Sequence, residues 1–202
     1  MNSKKLLMIF TRNPELGKVK TRLSKSVGDI MALDIYQFLL DKTKEVTQNI
    51  SADKVVYYSE KIAENDLWNS SLYKKEVQFG DDLGAKMEYA FQTAFENNYE
   101  KVLLIGSDLY DLEPSHINEA FEKLKNKDVV IGPALDGGYY LVGLKKNYPE
   151  IFKNKRWGTS SVRKDTLKNL EKVDVHLLPI LNDVDVLEDI EHHPAFTKFL
   201  KT

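Results

Sequence analysis

Cations gather early in this chain and carboxylates collect at three later points. Arg12, Lys18, Lys20 and Arg22 fall within eleven residues of the stretch Phe10 to Leu23, FTRNPELGKVKTRL, with Pro14 and Gly17 between them. Such a loop fits either a phosphate ligand or a solvated basic turn. Asp108 closes LLIGSD, Asp136 stands in ALDGGYY, and Asp183 and Asp185 alternate in LNDVDVLEDI. Side chains two apart in an extended segment share a face, so Asp183 and Asp185, with Asp108, could supply the oxygen ligands that Mg²⁺ or Mn²⁺ prefers. Asp136 with Gly137 and Gly138 reads as a hairpin turn. Equally, the paired glycines would let backbone N–H groups approach a ligand, with Asp136 aimed at a hydroxyl or an ammonium. Asp108 could instead be a turn or capping residue, and Asp189 one that only favours a helix dipole. His192 and His193 are adjacent but lack a third ligand; His116 and His176 are isolated and read as structural.

The elements that must position these groups alternate in period. Leu6 to Phe10 is a continuous apolar run, which reads as a buried and parallel strand whose loop emerges at its carboxyl end, where open α/β sheets bind ligands. A helix is expected from Gly28-Asp29 to about Asn49, with Leu33, Tyr36, Leu40 and Thr43 on one stripe and Asp29 as N-cap. Val55 to Tyr58 and Glu76 to Phe79 read as strands. The second leads through Gly80 to Gly84 into a helix over 85–97. Val102 to Ile105 is the most hydrophobic strand candidate, so Asp108 shares a crevice with the basic loop if the two strands are parallel neighbours. Pro114 starts a helix carrying Ile117, Ala120, Phe121 and Leu124 inward. Strands at Val129 to Ile131 and Tyr139 to Leu144 flank the Asp-Gly-Gly turn. A helix from Ser160 to Leu170, capped by Thr159 or Ser160, precedes a strand at Val175 to Pro179. Trp157 suits a stacking platform or a buried packing role. The tail, His192 to Thr202, reads as peripheral.

This alternation predicts a three-layer α/β/α sandwich with a mostly parallel mixed sheet, in a single domain over 1–202. A chain of 202 residues can bury a real core. A formal charge of −2 with 30% charged residues argues against nucleic-acid or membrane binding through bulk charge, so the basic loop must act locally. With no cysteine, disulfides, thiolate metal sites and Cys nucleophiles are excluded. Nothing resembles a signal peptide or a membrane span, which leads to the expectation of a cytoplasmic protein. There is no P-loop, no G-x-G-x-x-G after the first strand and no G-x-S-x-G.

In order, TRNPELGKVKTRL, QFGDDLGAKM, LLIGSD, GPALDGGYYLVGL, RWGT and NDVDVLEDI resemble the nucleotide-diphospho-sugar transferase superfamily with the GT-A fold. More narrowly they resemble the DUF2064 group of glycosyltransferase-like proteins, relatives of phospholactate guanylyltransferase and the molybdenum cofactor nucleotidyltransferases. The resemblance implies that the basic loop wraps a nucleotide's phosphates, with Lys20 and Arg22 as charge partners, Gly17 allowing close approach, and Thr11 and Arg12 at its start. It implies base contact from the loop Gln78 to Gly84, a metal on Asp108 with Asp183 or Asp185, Ser107 among the cofactor-binding residues, and Gly137 and Gly138 at the acceptor or sugar pocket. Asp136 would meet the acceptor, as base in an inverting glycosyl transfer. The implied substrates are a nucleotide sugar or a nucleoside triphosphate, with a small-molecule acceptor and Mg²⁺ or Mn²⁺. Glycosyl transfer is the leading reading. Nucleotidyl transfer with release of pyrophosphate and a catalytically inactive nucleotide-binding protein are the alternatives. Three positions depart from the group: Tyr110 replaces a proline after GSD, Val186-Leu187 replaces Thr-Pro, and Gly158 stands where Ser is frequent.

Overall fold

The computed structural model describes residues 4–200. Its seven strands are β1 (Lys5–Thr11), β2 (Asp53–Tyr58), β3 (Lys74–Val77), β4 (Lys101–Ile105), β5 (Val129–Pro133), β6 (Tyr139–Leu144) and β7 (Val175–Leu177). The helices are α1 (Ser24–Val27), α2 (Asp29–Thr47), α3 (Leu83–Glu96), α4 (Pro114–Lys123), α5 (Val162–Asn169) and α6 (Thr197–Leu200). One sheet holds all the strands in the order β3-β2-β1-β4-β6-β5-β7. Only β6 runs antiparallel to its neighbours. The expected mostly parallel sandwich is the observed one.

Period-two alternation builds the three layers. From β1, Leu7 and Ile9 face Tyr36, Leu40 and Val46 of α2 and Ile117, Ala120 and Phe121 of α4. Leu6, Met8 and Phe10 face Met87, Ala90, Phe91 and Ala94 of α3 on the other side. Because both faces are covered, β1 and β4 read as continuous apolar runs, and each fully buried Leu or Ile contributes roughly 1.5–3 kcal/mol. A third cluster joins Leu23, Ile35, Leu39, Val184, Ile190 and Phe196. This cluster corrects the tail's reading as peripheral. Phe196 is fully buried and T-stacks on Phe38, while Tyr110, the residue in place of the group's proline, stacks on Phe38 and meets Phe196 edge-on. Lys201 and Thr202 lie outside the described residues.

Local boundaries differ from expectation in instructive ways. Gly28, not Asp29, caps α2: it takes φ +81, and Asp29 becomes the first helical residue, where its charge still favours the dipole. Ser161 occupies the N-cap of α5 without a side-chain cap bond, its hydroxyl pairing instead with Thr159 Oγ1 at 3.2 Å, which also donates to the Arg156 carbonyl at 2.7 Å. β3 stops at Val77; the Gln78 N–H donates to Tyr58 O, and its side chain turns away from the sheet edge. Pro114 does open α4, with His116 Nδ1 accepting from the Glu113 N–H at 3.0 Å. The Asp-Gly-Gly turn joins β5 and β6 as an antiparallel hairpin, closed by Ala134 N–H donating to Gly138 O. Among the described residues no helix is long and apolar enough to cross a membrane.

Candidate functional site

The chain leaves β1 for β2 on one side, while β4 lies on the other, so the carboxyl ends of β1 and β4 mark a topological switch point. That is where open α/β sheets form a crevice. Here it is a cavity of about 740 Å³, lined by Thr11, Arg12, Lys18, Lys20 and Arg22 from the first loop and by Ser107 and Asp108 from the loop after β4. Asp183 and Asp185 enter from the late loop, Asp136 and Gly138 from the hairpin, and Gln78 from beyond β3. The parallel register Ile9↔Ile105 brings the two strand ends level, which satisfies the condition for Asp108 to share the crevice with the basic loop.

The floor is a set of hydroxyls. Tyr36, 3% exposed, reaches Thr11 Oγ1 at 3.0 Å and Ser107 Oγ at 3.2 Å, and its oxygen accepts the Arg12 N–H at 2.8 Å. One phenol thus ties the start of the basic loop to the Gly-Ser-Asp turn. Asn13, also buried, accepts the Glu60 N–H at 3.0 Å and donates to Lys61 O at 2.8 Å, fixing the loop to the segment after β2. Val19 and Leu23 insert into the core on either side of the cations. Between them Lys20 takes the left-handed φ of +48, a strain of roughly 1–2 kcal/mol for a residue with a Cβ. Strain of this kind concentrates at ligand clamps.

Two cation–carboxylate pairs already span the site. Lys20 Nζ, on a side chain 7% exposed, donates to Asp108 Oδ2 at 3.0 Å, and Arg22 donates to Asp185 Oδ2 at 2.7 Å. Lys18 is drawn sideways to Glu15 at 2.7 Å. Asp183 has no such cation. Burial, then the negative charges of Asp108 and Asp136, push its carboxyl up to about 6. Asp189 accepts the Asp185 and Val186 N–H groups, both at 2.8 Å, and the Asn182 amide at 3.0 Å, so it shapes the loop that presents Asp183.

Three glycines of the candidate set do not line the cavity. Gly17 sits in a tight turn at φ +72. A Cβ on Gly84 would stand 2.3 Å from Phe152 O and 2.8 Å from Trp157 Nε1, so its small size seats Trp157 against α3. A Cβ on Gly137 would meet the Ser160 backbone at 2.4 Å, and its carbonyl accepts the Arg163 N–H. Gln78 lines the wall and donates to the carbonyls of Thr11 and Tyr57, both at 3.1 Å, bracing β1 against β2. Gly138 N–H donates to Asp136 Oδ1 at 2.7 Å, so Asp136 both closes its turn and borders the cavity. Trp157 packs edge-on to Tyr139 and also lines the cavity. The sequence pattern did not mark Tyr36 or Lys86 as site residues; Lys86 lines the wall by α3 together with Asp81 and Asp82 of the loop Gln78 to Gly84. Tyr36 carried a signal for the core stripe only, since periodicity reports where a ring goes and not what its hydroxyl meets.

The donor set suits a hard divalent cation, because the Asp108 charge is close enough to raise the Asp183 carboxyl and both residues offer oxygen only. Among the described residues no three His, Cys, Asp or Glu side chains form a ready metal cage. Two carboxylates completed by substrate phosphates are the usual arrangement for Mg²⁺.

Fold and crevice together define an α/β sandwich similar to the nucleotide-diphospho-sugar transferases. The chain belongs to the DUF2064 family, described as an uncharacterized protein conserved in bacteria, whose model matches residues 42–159. It is similar to the crystal structure of a "putative nucleotide-diphospho-sugar transferase" from Desulfovibrio desulfuricans G20, with 32% identity, a TM-score of 0.86, and coverage of 97% of this chain and 91% of that one. A cytidylyltransferase from Leptospira borgpetersenii shares the fold at 15% identity and a TM-score of 0.60, over 100% of this chain and 89% of that one. So does a Mycobacterium tuberculosis H37Rv protein solved in complex with manganese, at 12% identity and a TM-score of 0.56, over the whole of both chains. No curated protein matches the chain in sequence.

Proposed function

We propose that this protein is a metal-dependent transferase that uses a nucleotide-activated substrate, with glycosyl transfer from a nucleotide-diphospho-sugar as the leading reaction. One observation carries the reading: Lys20, Arg22, Asp108, Asp183 and Asp185 come from three separate loops and line a single cavity at the switch point. The similarity to the Desulfovibrio protein supports the sugar-nucleotide donor.

The chain's own groups divide the work. Lys20 and Arg22 meet the diphosphate, whose negative charge grows as the bond to the sugar breaks, and fixed cations that strengthen as charge develops lower that barrier. Asp108 and Asp183 would hold Mg²⁺ or Mn²⁺, which supplies further neutralisation of the leaving phosphates. Thr11, Arg12 and Ser107 shape the phosphate end through the Tyr36 hydroxyl. Gln78, Asp81 and Lys86 stand along the wall where a base would lie. Asp136, with one oxygen held by the Gly138 N–H, is placed to accept the acceptor's proton from the hairpin side. A second reading, nucleotidyl transfer from a nucleoside triphosphate, is favoured by the number of cations on the cavity wall, where Arg12, Lys18 and Lys86 join Lys20 and Arg22.

Incubation with mixed nucleotide sugars or nucleoside triphosphates and Mn²⁺, followed by product analysis, separates the readings. Release of nucleoside diphosphate is the expected result. Pyrophosphate would move the assignment to nucleotidyl transfer, and failure to bind any nucleotide with or without metal would refute both.

A further inference from the structure

The two cations meant for phosphate are paired with two of the carboxylates that border the same cavity. Lys20 Nζ is 3.0 Å from Asp108 Oδ2, and Arg22 is 2.7 Å from Asp185 Oδ2. The first pair is the consequential one, because the Lys20 ammonium sits on a side chain 7% exposed, against 63% for Arg22, while its partner Asp108 is 40% exposed and open to the cavity.

We infer that Lys20 acts as a built-in placeholder for the metal on Asp108, so that the site takes a divalent cation and a polyphosphate as one unit and binds either alone weakly. This rests on the transferase reading above and names the species it accepts, a metal-chelated polyphosphate.

The argument is one of partners. A divalent cation arriving alone at Asp108 must displace the Lys20 ammonium and leave that buried charge without a counter-ion beside a second positive charge. An anion arriving alone must draw Lys20 away, leaving Asp108 unneutralised in a cavity that also holds Asp183 and Asp136. Leaving a charge without its partner is unfavourable in both directions, and most so for Lys20, the buried member of the pair. When cation and anion arrive together, Asp108 exchanges ammonium for metal, Lys20 exchanges carboxylate for phosphate, and every charge keeps an opposite neighbour. Among the described residues no three acids or histidines form a ready metal cage, which points the same way, since phosphate oxygens then complete the coordination. Such coupling is reciprocal, the cation raising anion affinity by the factor by which the anion raises cation affinity.

The test is calorimetry on the full chain with Mn²⁺ alone, inorganic pyrophosphate alone and the Mn²⁺–pyrophosphate complex. The complex is expected to bind at least tenfold more tightly than either component. In Lys20→Met the affinity for Mn²⁺ alone rises at least tenfold and the advantage of the complex shrinks. Lys20→Asn, which suits the left-handed backbone, repeats the measurement should the methionine variant fail to fold. Lys25→Met carries the same charge change on a residue outside the cavity and leaves Mn²⁺ affinity within twofold. If both Lys20 variants bind Mn²⁺ alone as the unaltered protein does, while the complex still binds, the placeholder is wrong and the transferase site stands. If no protein binds the complex, the site reading fails and the placeholder falls with it.

Discussion

Replacing Asp183 by asparagine should stabilise the metal-free protein near neutral pH while removing its response to divalent cations. Burial and the charges of Asp108 and Asp136 raise the Asp183 carboxyl from 3.8 to about 6. At 1.36 kcal/mol per unit this corresponds to roughly 3 kcal/mol of differential stability between the protonated and ionised forms. Partial solvent access and rearrangement of the neighbouring carboxylates reduce that, so about 1–2 kcal/mol is the working figure. The protonated carboxyl binds its proton more tightly folded than unfolded, so its stabilising contribution is complete below about pH 4 and is lost as pH rises to about 6. In Asp183→Asn that slope disappears. Thermal unfolding in chelator should put the variant about 2–8 °C above the unaltered protein at pH 7.5 and close to it at pH 4. Mn²⁺ added together with pyrophosphate should then raise the melting temperature of the unaltered protein only. A variant less stable at pH 7.5, with the slope between pH 4 and 6 intact, would refute the placement of Asp183 among like charges.

Three further substitutions probe the frame around the site. Tyr36→Phe deletes the hydroxyl that joins Thr11, Arg12 and Ser107, and should lose about 1–3 kcal/mol in urea unfolding, because the Arg12 N–H and two hydroxyls lose a partner. Gly84→Ala places a methyl 2.3 Å from Phe152 O and against Trp157; a loss of about 1–3 kcal/mol with a shifted tryptophan emission is expected, and an unchanged spectrum would contradict that packing. Phe196→Ala opens a cavity beside Val184 and Leu23 and should destabilise by about 3–5 kcal/mol; a surface-like effect below 1 kcal/mol would return the tail to the periphery.

What was legible in the sequence was what period and apolarity encode. The runs Leu6 to Phe10 and Val102 to Ile105 announce doubly covered strands, and their loops announce a crevice, because the ends of parallel neighbours must meet. Charged residue types at those ends were therefore readable as a cavity lining, down to Lys20, Arg22, Asp108, Asp183 and Asp185. The glycines were less readable. Gly84 and Gly137 are demanded by close backbone approach, but to Trp157 and Ser160 across the fold, and nothing local tells which partner approaches. Similarly, Asp189 is three residues into a charged stretch that resembles a helix start, and its actual bonds to the Asp185 and Val186 N–H groups depend on a loop shape set by remote packing.

Remote packing also holds the turn after Asp108. Tyr110 lies two residues after Asp108, and its ring, stacked on Phe38 and set edge-on to Phe196 and His193, anchors the turn by burial rather than by a fixed φ. The Asp108 carbonyl then accepts the Val184 N–H at 3.0 Å, and Val184 is buried in the same cluster. Asp108 and the residue after Asp183 are thereby joined through their backbones, against the repulsion of the two carboxylates. A rigid mutual placement is what two like-charged groups require if they are to remain adjacent, since otherwise they would relax apart. The aromatic cluster around Phe196 thus supports the turn and the loop that keep two like charges side by side.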